Sequence, residues 1–289
     1  MNDSKTVLVT GLARNTQDHL AVEIRKVYEQ LSEIFSAVKF LIVESDSSDK
    51  TLDELVKIKT RMHNFDFVSL GQLESSYLDR IERLTKCRNV YVDAIRFNNF
   101  YKDTEYIVVL DFDIRNNRLD LSALRFWLTQ KNWAALFANQ TGCYYDIYAL
   151  RKNGWNEIDC FVEYKKLRSH LPEQLAKKRA IWSKMIRIPK NSKPIKVESA
   201  FGGLAIYRRE VFTRYDYQPI VNRFEESEHV VLHRKIGGDL GDLLIIPNLT
   251  NFSWNPHNLS KYSIFRKFDS WTKYYGLKRI RKLIRKHLP

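Results

Sequence analysis

Two aspartates one residue apart, Asp111 and Asp113, close the apolar run YIVVLDFD at 106–113. In an extended strand residues i and i+2 project to the same side, so both carboxylates converge where the strand ends. Ligands of open α/β sheets bind outside the carboxyl edge, and hard divalent cations take carboxylate oxygens while bridging substrate phosphates. The pair predicts a metal-diphosphate site. The plainer alternative is a strand that simply ends in acids.

Several other residues are of types that handle phosphate, sugar or protons. In VLVTGLARN (7–15) Gly11 and Ala13 permit a close backbone approach to a ligand, and Arg14 offers a two-pronged fork for phosphate or carboxylate. Glu44, at the head of Glu44-Ser45-Asp46, could accept bonds from a ribose or base, or belong to a solvated turn. Arg88-Asn89 lies on a helix or helix start, where the guanidinium could neutralise diphosphate charge or form a surface salt bridge. Gly202-Gly203 interrupts the strand-like SAFGGLAIY, the mark of a bulge or of close backbone approach to a substrate or a helix.

Glu228 opens a helix running to Gly237-Gly238, with His229 and His233 on one face at i and i+4. The residues between them are Val, Val and Leu, which excludes the H-E-x-x-H zinc protease. Glu228 is a candidate general base, or a carboxylate placed at a helix start by the macrodipole. Tyr144, Tyr145, Asp146 and Trp155 could shape a sugar or acceptor pocket, or be ordinary aromatic core.

These residues need elements to hold them. Apolar runs at 6–13, 38–43 and 106–113 alternate with helical patterns, one starting near Thr51, which is the rhythm of a parallel α/β sheet. From about 116 to 195 the pattern turns to helices and Trp- and Tyr-rich loops, including a charged helix interrupted by Pro172. Strand-like runs resume at 199–207 and 242–248. The expected division is a nucleotide-binding half at 1–115, an acceptor half of the same domain at 116–258, and a tail at 259–289.

With 289 residues, 44% of them hydrophobic, the chain can bury a large core. No run approaches the roughly 20 apolar residues of a membrane span, and no secretory leader is read at the amino terminus. Three cysteines without metal spacing suit a reducing compartment, so a cytoplasmic location is expected. The net charge of +14 calls for an anionic partner. Between Lys273 and Pro289 stand seven Lys or Arg and no acid. There Leu277, Ile280, Ile284 and Leu288 share one helical face, the pattern of a basic amphipathic helix lying on anionic lipid.

Taken in order, the loop Gly11 to Asn15, Glu44, Arg88-Asn89, the Asp111/Asp113 pair, Gly202-Gly203, and the Glu228 helix start followed by Leu232 resemble the GT-A glycosyltransferase superfamily over about residues 6–258. VESDSSDKT and CRN add a more distant similarity to capsule-associated mannosyltransferases of fungi. The resemblance implies a Rossmann-like GT-A fold with a mostly parallel central sheet flanked by helices. It implies a nucleoside-diphosphate sugar as donor, a glycan or glycolipid hydroxyl as acceptor, and Mn2+ or Mg2+ held chiefly by Asp113 with Asp111 assisting. A histidine near the carboxyl end commonly joins the metal in that superfamily; His257 fits the place, with His233 in reserve. Where the family usually has Asp after the glutamate this chain has His229, so the base role passes to His229 or Glu228 and the stereochemical outcome stays open.

Two competing functions remain. A nucleotidyltransferase would share the sheet and paired aspartates, but the single Gly11 is poor support for its Gly-rich first loop. A nucleic-acid-binding protein would explain the charge, but the basic residues concentrate in the tail instead of along an aromatic platform, and no nucleic-acid partner is expected. The resulting expectation is an enzyme of cell-surface polysaccharide or lipopolysaccharide synthesis, attached through 273–289 to the inner face of a membrane.

Overall fold

The computed structural model describes residues 5–112, 119–218 and 226–251. Its centre is an eight-stranded sheet formed by β1 (Thr6–Ala13), β2 (Ala37–Glu44), β3 (Phe65–Ser69), β4 (Thr104–Asp111), β5 (Trp133–Gln140), β6 (Ile195–Lys196), β7 (Leu204–Arg208) and β8 (Asp242–Asn251). The strand order is β3-β2-β1-β4-β7-β5-β8-β6. Strands β3, β2, β1 and β4 run parallel, and β5 is parallel to β8. β7 is antiparallel to both β4 and β5, and β6 is antiparallel to β8. The carboxyl ends of β1, β2, β4, β5 and β8 therefore share one edge, and β7 enters the sheet from that same edge.

The strands read as continuous apolar runs because both faces are covered. Alternate residues divide between two cores: Leu8, Leu41, Val43, Ile107 and Val109 in one, and Val7, Val9, Phe40, Ile42 and Val108 in the other. Helix α1 (Leu20–Leu31) packs into the second core through Leu20, Ile24, Val27 and Leu31, and α2 (Thr51–Arg61) joins it through Leu55 and Ile58. The opposite core receives α3 (Arg80–Phe97) through Cys87, Tyr91, Val92 and Ile95.

Helix starts use side-chain caps where the sequence supplies them. Asp79 accepts from the Glu82 amide to open α3. Asp120 accepts from Ala123 to open α4 (Leu121–Thr129), and Asp159 from Phe161 and Val162 to open α5 (Cys160–Arg168). The charged stretch expected to break at Pro172 does so, since Pro172 caps α6 (Glu173–Ala180). After α7 (Arg209–Arg214), helix α8 (Glu228–Ile236) ends on Gly237 in the left-handed region, φ 46°.

Two sequence expectations are corrected. WAALFANQ, within the stretch read as helices and loops, is the fully buried strand β5. The strand expected at 199–207 begins only at Leu204, so Gly202 and Gly203 form its entrance and do not interrupt it. No helix among the described residues is long and apolar enough to cross a membrane.

Candidate functional site

The floor of the carboxyl edge is built from the loops after β1 and β2, which are sewn together by polar bonds. Asn15 Oδ1 accepts from the Ser48 amide at 2.8 Å, the Thr16 amide donates to Thr51 Oγ1 at 2.7 Å, and the Lys50 amide donates to Gln17 Oε1 at 2.7 Å. Asn15 and Asp46 occupy the left-handed region, φ 55° and 57°, which Asn and Asp tolerate better than most residues. Asp46 Oδ1 then accepts from the Leu73 and Glu74 amides at 2.7 and 2.9 Å, pinning the segment after β3.

Three residues expected to meet a nucleotide here are engaged with protein. Glu44 is buried and accepts from the Ser47 amide at 3.1 Å and from Ser69 Oγ at 2.5 Å. Arg14 donates to the Asp46 carbonyl at 3.1 Å and pairs with Glu74 at 2.8 Å. A Cβ on Gly11 would lie 1.9 Å from the Leu110 carbonyl oxygen and 3.0 Å from the Phe112 ring. In this structure the close approach that Gly11 permits is to β4. Ala13, buried in the core beside α1, is small for packing reasons as well.

Asp111 ends β4 at the middle of this edge with its side chain 31% exposed. Its amide donates to the Gly203 carbonyl at 3.0 Å, and the next carbonyl, that of Phe112, is bonded to His19 Nε2 at 2.7 Å. His19 carries no sequence signal for this role; it is a lone histidine ahead of a helix. Gly203 and Gly202 have φ of 78° and 72°. A Cβ on Gly202 would meet the Ala138 carbonyl oxygen at 2.8 Å, while its own carbonyl accepts from Gln140 Nε2 at 2.6 Å. The glycine pair lets the chain turn hard against β5 and enter the sheet beside Asp111.

Arg88 does not form a surface salt bridge. It is buried on α3, its Nε 2.9 Å from Glu228 Oε1 at the start of α8 and its Nη2 3.7 Å from Asp111 Oδ1. The rings of Phe201 and Tyr217 flank the guanidinium at 5.5 Å each. Asn89 donates to the Tyr217 carbonyl at 2.8 Å and accepts from its amide at 3.0 Å. Arg88-Asn89 therefore joins the β4 edge to the chain around α8. Glu228 is correspondingly not a solvent-facing helix-start carboxylate, since its side chain is 4% exposed.

His229 stacks on Phe201 at 4.0 Å, with its Nε2 3.8 Å from Glu228 Oε1. Neither of its ring nitrogens has a hydrogen-bond partner among the described residues. Burial, then the nearby Arg88 charge and His233, hold its pKa well below the usual histidine value. His233, four residues on, is a satisfied core histidine: Nδ1 is bonded to Ser199 Oγ at 2.8 Å and Nε2 to Tyr207 OH at 2.9 Å. Burial lowers its pKa to about 3. With both nitrogens taken, His233 has no lone pair to offer a metal.

Of the residues expected near an acceptor, Asp146 accepts from the Gly202 amide at 3.0 Å and so props the glycine turn. Trp155 donates to the Lys184 carbonyl at 2.8 Å and packs edge-on against the buried Tyr144 at 5.6 Å. Tyr145 is partly buried against the same core. Asp113, His257 and the helix expected at 273–289 lie outside the described residues. Of Asp111, Asp113 and His257, Asp111 alone is described, a partly exposed carboxylate of the kind hard cations prefer. No group of three His, Cys, Asp or Glu suited to a metal forms among the described residues.

No family model matches this chain, and no curated protein matches it. Solved structures do. GalNAc-T7 with UDP, GalNAc and Mn2+ aligns with a TM-score of 0.55 at 15% identity, over 92% of this chain and 48% of that one. S. aureus TarS 1-349 in complex with UDP-GlcNAc aligns with a TM-score of 0.51 at 13% identity, over 89% and 61%. The chain has a GT-A fold. It spans about half to three-fifths of the length of these structures, and at such identities the likeness is one of fold. The GT-A sheet places Asp111, Gly203 and the Arg88–Glu228 pair together at one edge, from segments far apart in the chain.

Proposed function

We propose that this chain is a metal-dependent glycosyltransferase that moves a sugar from a nucleoside diphosphate to a hydroxyl of a glycan or glycolipid. The observation that carries the reading is Asp111: a partly exposed carboxylate at the centre of the carboxyl edge of a GT-A sheet, fixed through the Gly203 carbonyl and flanked by the loops after β1 and β2. The similar structures contain UDP with Mn2+ and UDP-GlcNAc.

In this reading Asp111 and Asp113 hold Mn2+ or Mg2+, with His257 as a third ligand. The cation supplies charge to stabilise the diphosphate leaving group. The diphosphate lies over the loops that carry Arg14 and Glu44. Glu228 and His229, neighbours at the start of α8 with Glu228 paired to Arg88 and the His229 imidazole held neutral by burial, are the candidate base for the acceptor proton. Asp146 and Tyr145, beside the glycine turn, line the acceptor side. Three free cysteines agree with a reducing compartment, and the basic tail at 273–289 with attachment to an anionic membrane face.

The test is thermal unfolding with UDP, GDP, CDP and their sugars, with and without Mn2+, for the native chain and for Asp113→Ala. A metal-dependent rise with one nucleotide, absent in the variant, is expected, because ligands of the native state raise apparent stability. No rise with any nucleotide would overturn the reading.

A further inference from the structure

The tail is not the only strongly basic segment. Residues 160–193 contain ten Lys or Arg and two Glu. The two glutamates are each taken up within the segment, Glu163 by Lys184 and Glu173 by Lys177. This stretch carries α5 and α6, which pack on each other.

The exposed faces of the two helices mix cations with partly exposed apolar side chains, Phe161 keeping an edge-on contact with Tyr148 at 5.0 Å. On α5, Phe161, Lys165 and Arg168 follow one another at i, i+4 and i+7, and all are exposed. On α6, Leu175, Lys178 and Arg179 stand at i, i+3 and i+4, again exposed. Phe161 is 43% and Leu175 38% accessible, and Ile158 and Ile186, just outside the helices, are 59% and 44%. Exposed cations beside partly exposed Phe161 and Leu175 on the same helices are what an anionic lipid surface recognises: headgroups attract the charge, and the apolar side chains enter the acyl boundary. A soluble polyanion would use the lysines and arginines and leave the apolar side chains in water.

Placement supports the same partner. The excursion leaves the sheet at the carboxyl end of β5, the edge that holds Asp111. Its base is closed where the Tyr144 amide donates to the Ile186 carbonyl at 2.8 Å and where Cys143 bridges Arg187. The α5–α6 pair therefore belongs to a closed loop rooted on the site edge, and its inner side, with Cys160 and the following Trp182, is buried in the core.

We propose that the exposed faces of α5 and α6 dock on an anionic lipid surface and bring the carboxyl edge up to the membrane, a contact separate from the tail. The inference rests on the glycosyltransferase reading only for its purpose, presenting the edge to a lipid-borne acceptor. The binding itself is independent of it.

Sedimentation of the full chain with vesicles tests this, using phosphatidylcholine alone and phosphatidylcholine mixed with phosphatidylglycerol. Each basic residue near such a surface contributes roughly fivefold to binding. The combined variant Lys165→Glu, Arg168→Glu, Lys178→Glu, Arg179→Glu is expected to lose at least about tenfold in binding to the anionic vesicles, although the tail is intact. Phe161→Ser with Leu175→Ser is expected to weaken binding severalfold at a temperature where the variant remains folded, its unfolding midpoint falling only by the lost Phe161–Tyr148 contact and partial burial. Three results would overturn the proposal: no binding by the native chain, unchanged binding by the charge variant, or unchanged vesicle binding by the Ser variant while polyphosphate competes with the native chain. The nucleotide-induced thermal shift is measured in parallel. Its loss with vesicle binding intact counts against the donor site alone, and the reverse counts against this surface alone.

Discussion

Arg88 and Glu228, 140 residues apart in the chain, form a buried ion pair at 2.9 Å, and the same guanidinium lies 3.7 Å from Asp111. One cation thus spans the start of α8 and the end of β4. A buried pair of this kind adds little net stability over an apolar substitute, but loss of one partner strands the other charge. Arg88→Met is expected to cost about 3–5 kcal/mol in denaturant unfolding. Arg88→Met combined with Glu228→Gln should recover a large part of that loss. Equal losses in the single and double variants would show that Glu228 does not depend on Arg88.

Asp111 is partly exposed and its backbone, not its carboxylate, is what ties β4 to Gly203. Asp111→Asn keeps that backbone bond and removes the negative charge 3.7 Å from Arg88, so metal-free unfolding should fall by about 1–2 kcal/mol, less than on loss of Arg88 itself. Under the proposed function it should also abolish the Mn2+-dependent thermal shift with nucleotide and lower kcat/KM by about a hundredfold or more. Calorimetry with and without Mn2+ separates the two effects.

Gly11 and Gly71 offer a matched pair of substitutions. An alanine Cβ at Gly11 would sit 1.9 Å from the Leu110 carbonyl oxygen, whereas at Gly71, φ 65°, it would meet nothing within 4 Å. Gly11→Ala must push β1 from β4 and is expected to cost at least about 3 kcal/mol. Gly71→Ala carries only the left-handed backbone penalty, about 1 kcal/mol. Urea midpoints of the two variants check the ordering.

His229 and His233 are both held neutral by burial, His233 with a pKa of about 3. In the unfolded chain a histidine titrates near 6.5. Below that pH the unfolded chain takes up protons that the folded chain refuses. Stability is therefore fully present above about pH 6.5 and falls as the pH drops towards the folded values, by about 1.4 kcal/mol per pH unit for each histidine. Between pH 6.5 and 5 few carboxylates titrate, so unfolding free energies measured there isolate the effect. His233→Gln, which keeps hydrogen-bonding capacity towards Ser199 and Tyr207, should remove one histidine's share of the slope.

The sheet was legible in the sequence where burial on both faces produced unbroken apolar runs. TVLVTGLA is a strand over its whole length, and the helix opened by Glu228 runs to its Gly237 cap. WAALFANQ escaped because a short apolar run carries no period to separate strand from helix; only its place between β7 and β8 settles the matter. Asp111 at a strand end could be read locally. The partners of Arg88, Gly11 and His19 could not, because each is set by tertiary contact with a distant segment. Glu44 and Arg14 stand at the expected edge, yet what they bond to depends on Ser69 and Glu74, beyond any local pattern.

The antiparallel strand β7 has a consequence for the order in which this molecule is made. β4 finds β1 early, but its other neighbour is separated from it by the whole of α4, β5, α5, α6 and β6. Contacts of such long sequence separation form late. A chain emerging from the ribosome can assemble β1, β2, β3 and β4 while one flank of β4 is still unpaired, and the Asp111 amide gains its Gly203 acceptor only after residue 203 has been synthesised. The first half would then exist for a time as a half-sheet with an open, sticky flank, and the candidate site would be among the last parts of the protein to come into being.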